Sequence, residues 1–296
     1  KTFLLQSVVA SVVILNVVVI LRGAIVNGAR AWLDMGPFRM QPSEFMKIAV
    51  VLFCANLLSH RHRSVQISSI VLWPMIVALG VSAGLCALQK DFGGSLIFGG
   101  IVLVMMIIAG LPKRQVFTTT VVLLVSGAFV LKFAGNASAR MLAFMDLEGT
   151  KEDGGYQVYQ SLLSIANGGW SGTGIGSGTS KWGYVPLAYS DFIFSVIAEE
   201  LGIFGSLMVI GGFLALVVFG LQVALSAPDT HGAFIAGGIS AWFGVQALVN
   251  VGGVVGALPM TGLTLPFLSY GGSSLIASMA AAGLLLNVAR AVKTSQ

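Results

Sequence analysis

Apolar stretches of near membrane-spanning length recur at residues 3–22, 44–59, 67–88, 94–111, 115–134, 192–224, 231–255 and 273–292, divided by polar segments. A helix needs about 20 apolar residues to cross a bilayer. The pattern therefore predicts about eight spans in an all-α, polytopic transmembrane helical bundle. The run at 44–59 is short. The run at 192–224 is too long for one simple crossing, which predicts a tilt or a start outside the bilayer. The longest polar stretch, 135–191, forms a large loop between the fifth and sixth spans, and Tyr156–Ala166 within it has the spacing of a short interfacial helix. One more interruption lies between the last two spans. Leu258–Leu275, LPMTGLTLPFLSYGGSSL, holds two prolines, three glycines and six hydroxyl side chains among large apolar residues. Irregular backbone at membrane depth persists only where protein or a water-filled cavity satisfies its polar groups. Residues 256–272 are thus expected to line a polar cavity.

Composition sharpens the class. Of 296 residues, 56% are hydrophobic and 9% charged, with mean hydropathy +0.92, against about 25% charged in a soluble domain. Residues 1–296 read as one membrane domain. Cys54 and Cys86 lie inside apolar runs, so no disulfide framework is visible. Phe3–Leu21 exceeds the apolar core of a signal peptide, about 7–15 residues, and no clear A-x-A site follows it. The net charge of +5 is unevenly placed. With eight spans, one side receives Lys1, Arg61, Arg63, Lys113, Arg114, Arg290 and Lys293 against the single acid Asp229. Short loops rich in Lys and Arg mark the cytoplasm, which puts the 135–191 loop outside. The basic balance is a topology signal and calls for membrane lipids, not nucleic acid. Arg22, Arg30, Arg39 and Lys47 fall on the outer side against this trend and need another explanation.

Several groups are candidates for chemistry. Glu44 and Lys47 stand three apart just inside the second span, after a Pro-Ser helix start. Ionisable groups at that depth are costly and usually face a cavity, and outward-facing cations suit an anionic ligand such as a lipid phosphate. The bland reading of 27–47, with Trp32, Phe38, Arg30 and Arg39, is an interfacial anchor. Asp191 opens the sixth span, where it serves either as a helix cap or as a general base at the membrane surface. Glu199 and Glu200 lie about 12 Å further along that helix, and a buried pairing with Lys or Arg is expected of them. Lys90–Asp91 reads as a solvated turn. Arg140, on the same side as Asp191, is either a solvated charge or a pyrophosphate contact. The glycine-rich Ser171–Ser180 follows no predicted strand, so a nucleotide loop fails on context. His60, His62 and His231 lack the Cys or acidic companions of a metal site.

Four blocks carry a family resemblance: Ala29–Lys47 (ARAWLDMGPFRMQPSEFMK), Gly155–Gly176 (GYQVYQSLLSIANGGWSGTGIG), Ser190–Gly202 (SDFIFSVIAEELG) and Gln246–Leu275, ending in LPMTGLTLPFLSYGGSSL. In them the chain resembles the FtsW/RodA (SEDS) family of bacterial membrane proteins. The resemblance implies a peptidoglycan glycosyltransferase in the bacterial cytoplasmic membrane. Such an enzyme polymerises lipid II, the undecaprenyl-pyrophosphate-linked disaccharide, on the outer face. Family members have ten spans, so this chain corresponds to the family from its third span onward. The resemblance also implies a class B penicillin-binding protein, a transpeptidase, as partner.

Carried over by position, Asp191 in Ser190-Asp191-Phe192 matches the family's essential loop aspartate and would take the proton from an acceptor hydroxyl. Glu44 and Lys47 match QPSE-x-x-K, and Arg140 matches the loop arginine; cations there would meet the pyrophosphate. Ser269, Tyr270, Ser273 and Ser274 would line the cavity. A divalent cation could assist at the pyrophosphate, but no ligand cluster in the chain demands one, so no cofactor is called for. The chain departs from the family's E-x-x-P-E-x-H-T-D approach, carrying Gly183, Pro186, Leu187, Tyr189 and Ser190 there, and from its QPDFG turn, with Lys90 in place of proline. The GLTLPFLSYGGSS wording leans toward the division branch over the elongation branch. Two other functions stay open on the residues alone. A cation-lined polar cavity also suits a lipid-linked precursor flippase, and the altered approach to Asp191 suits a scaffolding paralogue with weakened catalysis.

Overall fold

The computed structural model describes residues 2–26, 28–36, 39–61, 70–133, 135–180, 186 and 188–294. Phe38, His62, Arg63, Gly183, Leu187 and the first residues of the 67–88 run lie outside the described residues. In chain order the helices are α1 (Thr2–Arg22), α2 (Pro42–His60), α3 (Leu72–Leu88), α4 (Phe92–Ile108), α5 (Lys113–Phe133), α6 (Gly135–Met145), α7 (Tyr156–Gly168), α8 (Ile193–Ser226), α9 (Thr230–Val254) and α10 (Gly272–Thr294). Eight of them stand at the eight apolar runs. The other two, α6 and α7, occupy the long polar stretch, α7 at the predicted amphipathic piece. Helices α1, α2, α8, α9 and α10 are long and apolar enough to cross a membrane. Helices α3 and α4 are apolar but 17 residues each, and α5 has 21. The protein is a helical membrane protein.

The described residues fall into two compact units. Unit 1 holds the chain up to Gly127, Val217–Val245 and the chain from Gly272; unit 2 holds Ala128–Leu216 and Gln246–Gly271.

Unit 1 contains a feature that the apolar pattern did not predict, a small antiparallel sheet of β1 (Ala24–Val26), β2 (Ala29–Asp34) and β3 (Arg39–Met40) in that order. It accounts for outer-side cations. Arg30 donates to the Ile20 carbonyl at the end of α1, 3.3 Å away, and Arg39 pairs with Asp34 at 3.7 Å. Arg22 ends α1, where a cation complements the helix C-terminus. Asp91, expected in a solvated turn, caps α4 by accepting from Gly94 N at 2.8 Å. Small residues let helices approach: a Cβ on Gly238 of α9 would press on Val51 of α2 and Met105 of α4.

The fourth outer-side cation is buried. Lys47 is 1% exposed and Glu44 5%, and Nζ lies 2.7 Å from Glu44 Oε1 and 5.2 Å from the centre of the Trp242 ring. The ring face adds a favourable cation–π term. The sequence placed these groups against a cavity; the structure encloses them as a pair within unit 1.

Unit 2 is organised around a break in α8 at Gly202 (φ 64°, ψ −155°). In an unbroken helix the Glu199 carbonyl would accept from Ile203 N–H. Here Ile203 N donates to Gly169 O at 3.0 Å, while the carbonyls of Glu199 and Glu200 accept from Thr173 N (2.9 Å) and Gly174 N (3.1 Å). The glycine-rich loop thus replaces part of the helix's own ladder. The Glu199 side chain completes the arrangement. Its carboxylate accepts from Asn167 Nδ2 (3.1 Å), Thr179 N and Oγ1 (3.0 and 2.9 Å), Ser180 N (3.1 Å) and Ser180 Oγ. Neutral donors therefore hold Glu199, where the sequence suggested Lys or Arg. The break leaves Ile203–Ser226 as an unkinked span of about 36 Å at 1.5 Å per residue. That length crosses a hydrocarbon core of about 30 Å and accounts for the excess length of the run.

Two outcomes follow from these packings. Gly172 has φ +79°, and a Cβ there would collide with the Glu200 carbonyl, so Gly172→Ala is expected to lower the unfolding temperature of the detergent-solubilised protein by separating the loop from α8. In unit 1, Lys47→Met alone strands a buried carboxylate and should cost about 3–5 kcal/mol, whereas adding Glu44→Gln should recover most of that stability. Thermal unfolding of both variants measures the difference.

Candidate active site

The site in unit 2 begins with two amides on α9. Gln246 and Asn250 are four apart on one helix face, and both are buried. After Val254 the helix stops, and the chain stays irregular until α10. Its polar backbone groups find partners one by one. Ala257 N and Leu258 N donate back to Gly252 O at 2.8 and 2.9 Å. Gln246 Nε2 donates to Thr264 O at 2.7 Å. Asn250 Nδ2 donates to both Leu263 O and Asp191 O, the latter at 2.9 Å. One amide thereby fixes the Asp191 backbone against the irregular segment. Phe267 takes φ +66°, a conformation rare for a bulky residue. Leu265 and Ser269 bracket it, with Leu265 N donating to Ser269 Oγ (2.6 Å) and Ser269 N to Leu265 O (3.0 Å).

The same segment is laced to the approach to Asp191. Ser269 Oγ donates to Ser190 O at 2.7 Å, and Tyr270 N donates to Tyr189 O at 2.9 Å. The Tyr189 and Tyr270 rings meet edge to face, 5.7 Å between centroids at 81°. Beneath them Phe192, Phe194, Ala247, Val254 and Leu265 form a buried apolar cluster. The Asp191 side chain is half-buried, and its Oδ1 accepts from Ser190 Oγ at 3.0 Å. Serine at 190 thus keeps the hydroxyl that the family's threonine would supply.

Arg140 reaches the same place from α6. It is exposed, and its Nη1 donates to Thr261 O at 2.7 Å. The next residue, Gly262 (φ +75°), marks where the charged groups converge. An atom at its Cβ position would be 3.3 and 3.4 Å from Arg140 Nη2 and Nη1 and 3.5 Å from Asp191 Oδ2. Alongside Arg140 runs an apolar slot walled by Ala143, Phe144, Leu147, Leu258 and Met260. A cation and a carboxylate facing one gap, next to an apolar slot, can bind a lipid-linked anion and accept a proton beside it.

Of the sequence-predicted residues, Asp191, Arg140, Ser269 and Tyr270 belong to unit 2 and sit on these connected segments. Glu44, Lys47, Ser273 and Ser274 belong to unit 1. There Ser273 Oγ accepts from Gln41 N at 3.0 Å, and Ser274 is buried. Ser269 spends both hydrogen-bonding functions on backbone, so it holds the segment in place. Tyr270, 77% exposed, keeps its ring available. Gln246, Asn250 and Gly262 were not singled out from the sequence. Two amides one turn apart in an otherwise apolar run were the available signal for the first two, since polar side chains inside a span usually serve a site.

A sequence profile described as "Cell cycle protein", for FtsW, RodA and SpoVE, matches residues 1–294. A probable peptidoglycan glycosyltransferase FtsW of Geobacter metallireducens is 39% identical over 271 residues, covering 92% of this chain and 72% of that protein. The stage V sporulation protein E of Bacillus subtilis is 36% identical, with 90% and 73% covered. Among solved structures, a chain from work on a peptidoglycan synthase complex that coordinates polymerization and crosslinking superposes with a TM-score of 0.80 at 32% identity, covering 98% of this chain and 81% of that one. The rod shape determining protein RodA of Thermus thermophilus gives 0.69 at 30% identity, with 97% and 78% covered. Matched by the profile along nearly its whole length, and repeating the fold of these relatives, the chain belongs to the FtsW/RodA/SpoVE family.

Proposed function

We propose that in this chain, a peptidoglycan glycosyltransferase of the FtsW/RodA/SpoVE family, Asp191 is the general base that polymerises lipid II. The observation that carries the reading is the convergence of the Asp191 carboxylate and the Arg140 guanidinium on Gly262. A hydroxyl of the acceptor sugar attacks the anomeric carbon of the donor. The new C–O bond forms as the bond to the pyrophosphate breaks, and undecaprenyl pyrophosphate leaves. Asp191 takes the hydroxyl proton, with its backbone fixed by Asn250 and its Oδ1 oriented by Ser190. Arg140 meets charge developing on the leaving pyrophosphate, for which its forked donors are suited. The apolar side chains beside it, Ala143, Phe144, Leu147, Leu258 and Met260, offer a surface suited to the lipid end of the donor.

Among the described residues no cluster of three His, Cys, Asp or Glu could hold a metal ion. A divalent cation bound with the pyrophosphate would add to the charge neutralisation that Arg140 supplies. The likeness to a chain from a peptidoglycan synthase complex supports a class B penicillin-binding protein as partner, crosslinking the strands made here.

Lipid II polymerisation by purified membranes tests the assignment. Asp191→Asn keeps the shape and removes the base, and should reduce polymer yield at least about 100-fold with an unchanged unfolding temperature; undiminished yield would sink the assigned base. Asn250→Leu should act through structure. It orphans two carbonyls at about 1–3 kcal/mol each, so activity and thermal stability should fall together.

A further inference from the structure

We infer that Gly262 is a specificity-determining residue, whose bare Cα is the surface over which the reacting edge of the acceptor sugar passes between Arg140 and Asp191. The inference rests on Asp191 being the base. Three segments contribute one group each to the gap: α6 the guanidinium, the turn before α8 the carboxylate, and the irregular segment the glycine. The Cβ that Gly262 lacks would lie within 3.5 Å of Asp191 Oδ2 and of both terminal nitrogens of Arg140. A single methyl group there would touch the proton acceptor and the cation at once. A group that meets both from the side of the irregular segment uses the space this residue leaves open. Gly262 is itself half-buried, and Arg140 is exposed.

The reaction needs that space. The attacking hydroxyl has to come within hydrogen-bond reach of Oδ2, while the pyrophosphate oxygens have to reach the guanidinium. Reacting atoms must also stand about 3–3.5 Å apart. A gap bounded on two sides within 3.5 Å of one point admits the edge of one sugar ring, and substituents next to the attacking hydroxyl must clear the Cα of Gly262. Arg140 cannot swing aside at no cost, because its Nη1 is held by the Thr261 carbonyl at 2.7 Å. The neighbour that anchors the cation and the residue that leaves the gap are thus consecutive in the chain.

Glycine at 262 has a second explanation, its φ of +75°, which disfavours any side chain regardless of a ligand. The two explanations order substitutions differently. Asn tolerates positive φ far better than Ala but is larger. Backbone strain alone makes Gly262→Ala the worse variant; closure of the gap makes Gly262→Asn the worse.

The test is lipid II polymerisation by full-length protein, with the unfolding temperature measured beside it. Gly262→Ala is expected to lose about tenfold in kcat/KM and Gly262→Asn about 100-fold, both folded. Wild-type activity in either variant, or Gly262→Asn more active than Gly262→Ala, overturns the inference. A labelling experiment serves if Gly262→Asn does not accumulate. Cys54 and Cys86 are both buried, so the thiol of Gly262→Cys is the accessible one, and lipid II should slow its alkylation by a small thiol reagent. Unchanged labelling overturns the inference. Asp191→Asn run alongside separates the two claims. If it stays active, the base assignment fails; if it is inactive while Gly262→Asn retains full activity, only the role of Gly262 fails.

Discussion

At membrane depth, a peptide group outside a helix has to find a partner in the protein or in a water-filled cavity. That constraint governs the segment between α9 and α10. Its carbonyls at Thr261, Leu263 and Thr264 are met by Arg140, Asn250 and Gln246, and its Ser269 and Tyr270 are bonded to the backbone before Asp191. The partners that satisfy the segment are thus the groups that build the site. Asn250 shows the economy most clearly, since its single NH2 group bonds carbonyls on both the segment and Asp191. Arg140 is likewise fixed through its bond to Thr261 O, with Nη2 3.3 Å from the Gly262 Cβ position.

The break in α8 follows the same rule with a different result. Gly202 interrupts the ladder, and the freed carbonyls of Glu199 and Glu200 are taken by the amides of Thr173 and Gly174. Burying the Glu199 carboxylate is then tolerable because neutral donors surround it, as a buried charge requires. Glu199 has its acceptor sites filled by the protein and is 1% exposed, so it organises the loop. Asp191, eight residues earlier, is half-buried, and its Oδ2 lies 3.5 Å from the Cβ position of Gly262. Two acids on one stretch of chain thus sit in different surroundings, one enclosed by neutral donors and one half-buried beside Arg140 and Gly262.

The helices were legible because hydropathy over about 20 residues is a property of each segment alone. The small sheet was not, since its strands of two to six residues sit between apolar runs without an alternating core face. Asp191 was visible as a helix-opening acid, but only the family resemblance separated base from cap. The contacts that make the site were invisible for a physical reason. Asn250 meets Asp191 across 59 residues and Arg140 meets Thr261 across 121, and side-chain-to-backbone bonds leave no period in a sequence. Gly262 read as one loop glycine among many because what distinguishes it is the identity of its neighbours in space. The expectation for Glu199 missed because polar partners from a glycine-rich loop were discounted in favour of ions.

The two cationic groups suggested for the pyrophosphate now differ in kind. Lys47 lies 2.7 Å from Glu44 and faces the Trp242 ring, with 1% of its surface exposed. Much of its field is cancelled at short range, and reaching a ligand would mean giving up a contact made in a poorly solvated place, where breaking a pair is costly. Arg140 is exposed, and its Nη1 donates to the neutral Thr261 carbonyl, which leaves the guanidinium charge in place. A guanidinium also offers a planar fork to phosphate oxygens, which an ammonium does not. Charge developing on a leaving pyrophosphate is stabilised by donors that are already oriented before reaction. That pre-orientation is what the proposed role of Arg140 draws on, while the Glu44–Lys47 pair is enclosed within unit 1 beside Trp242.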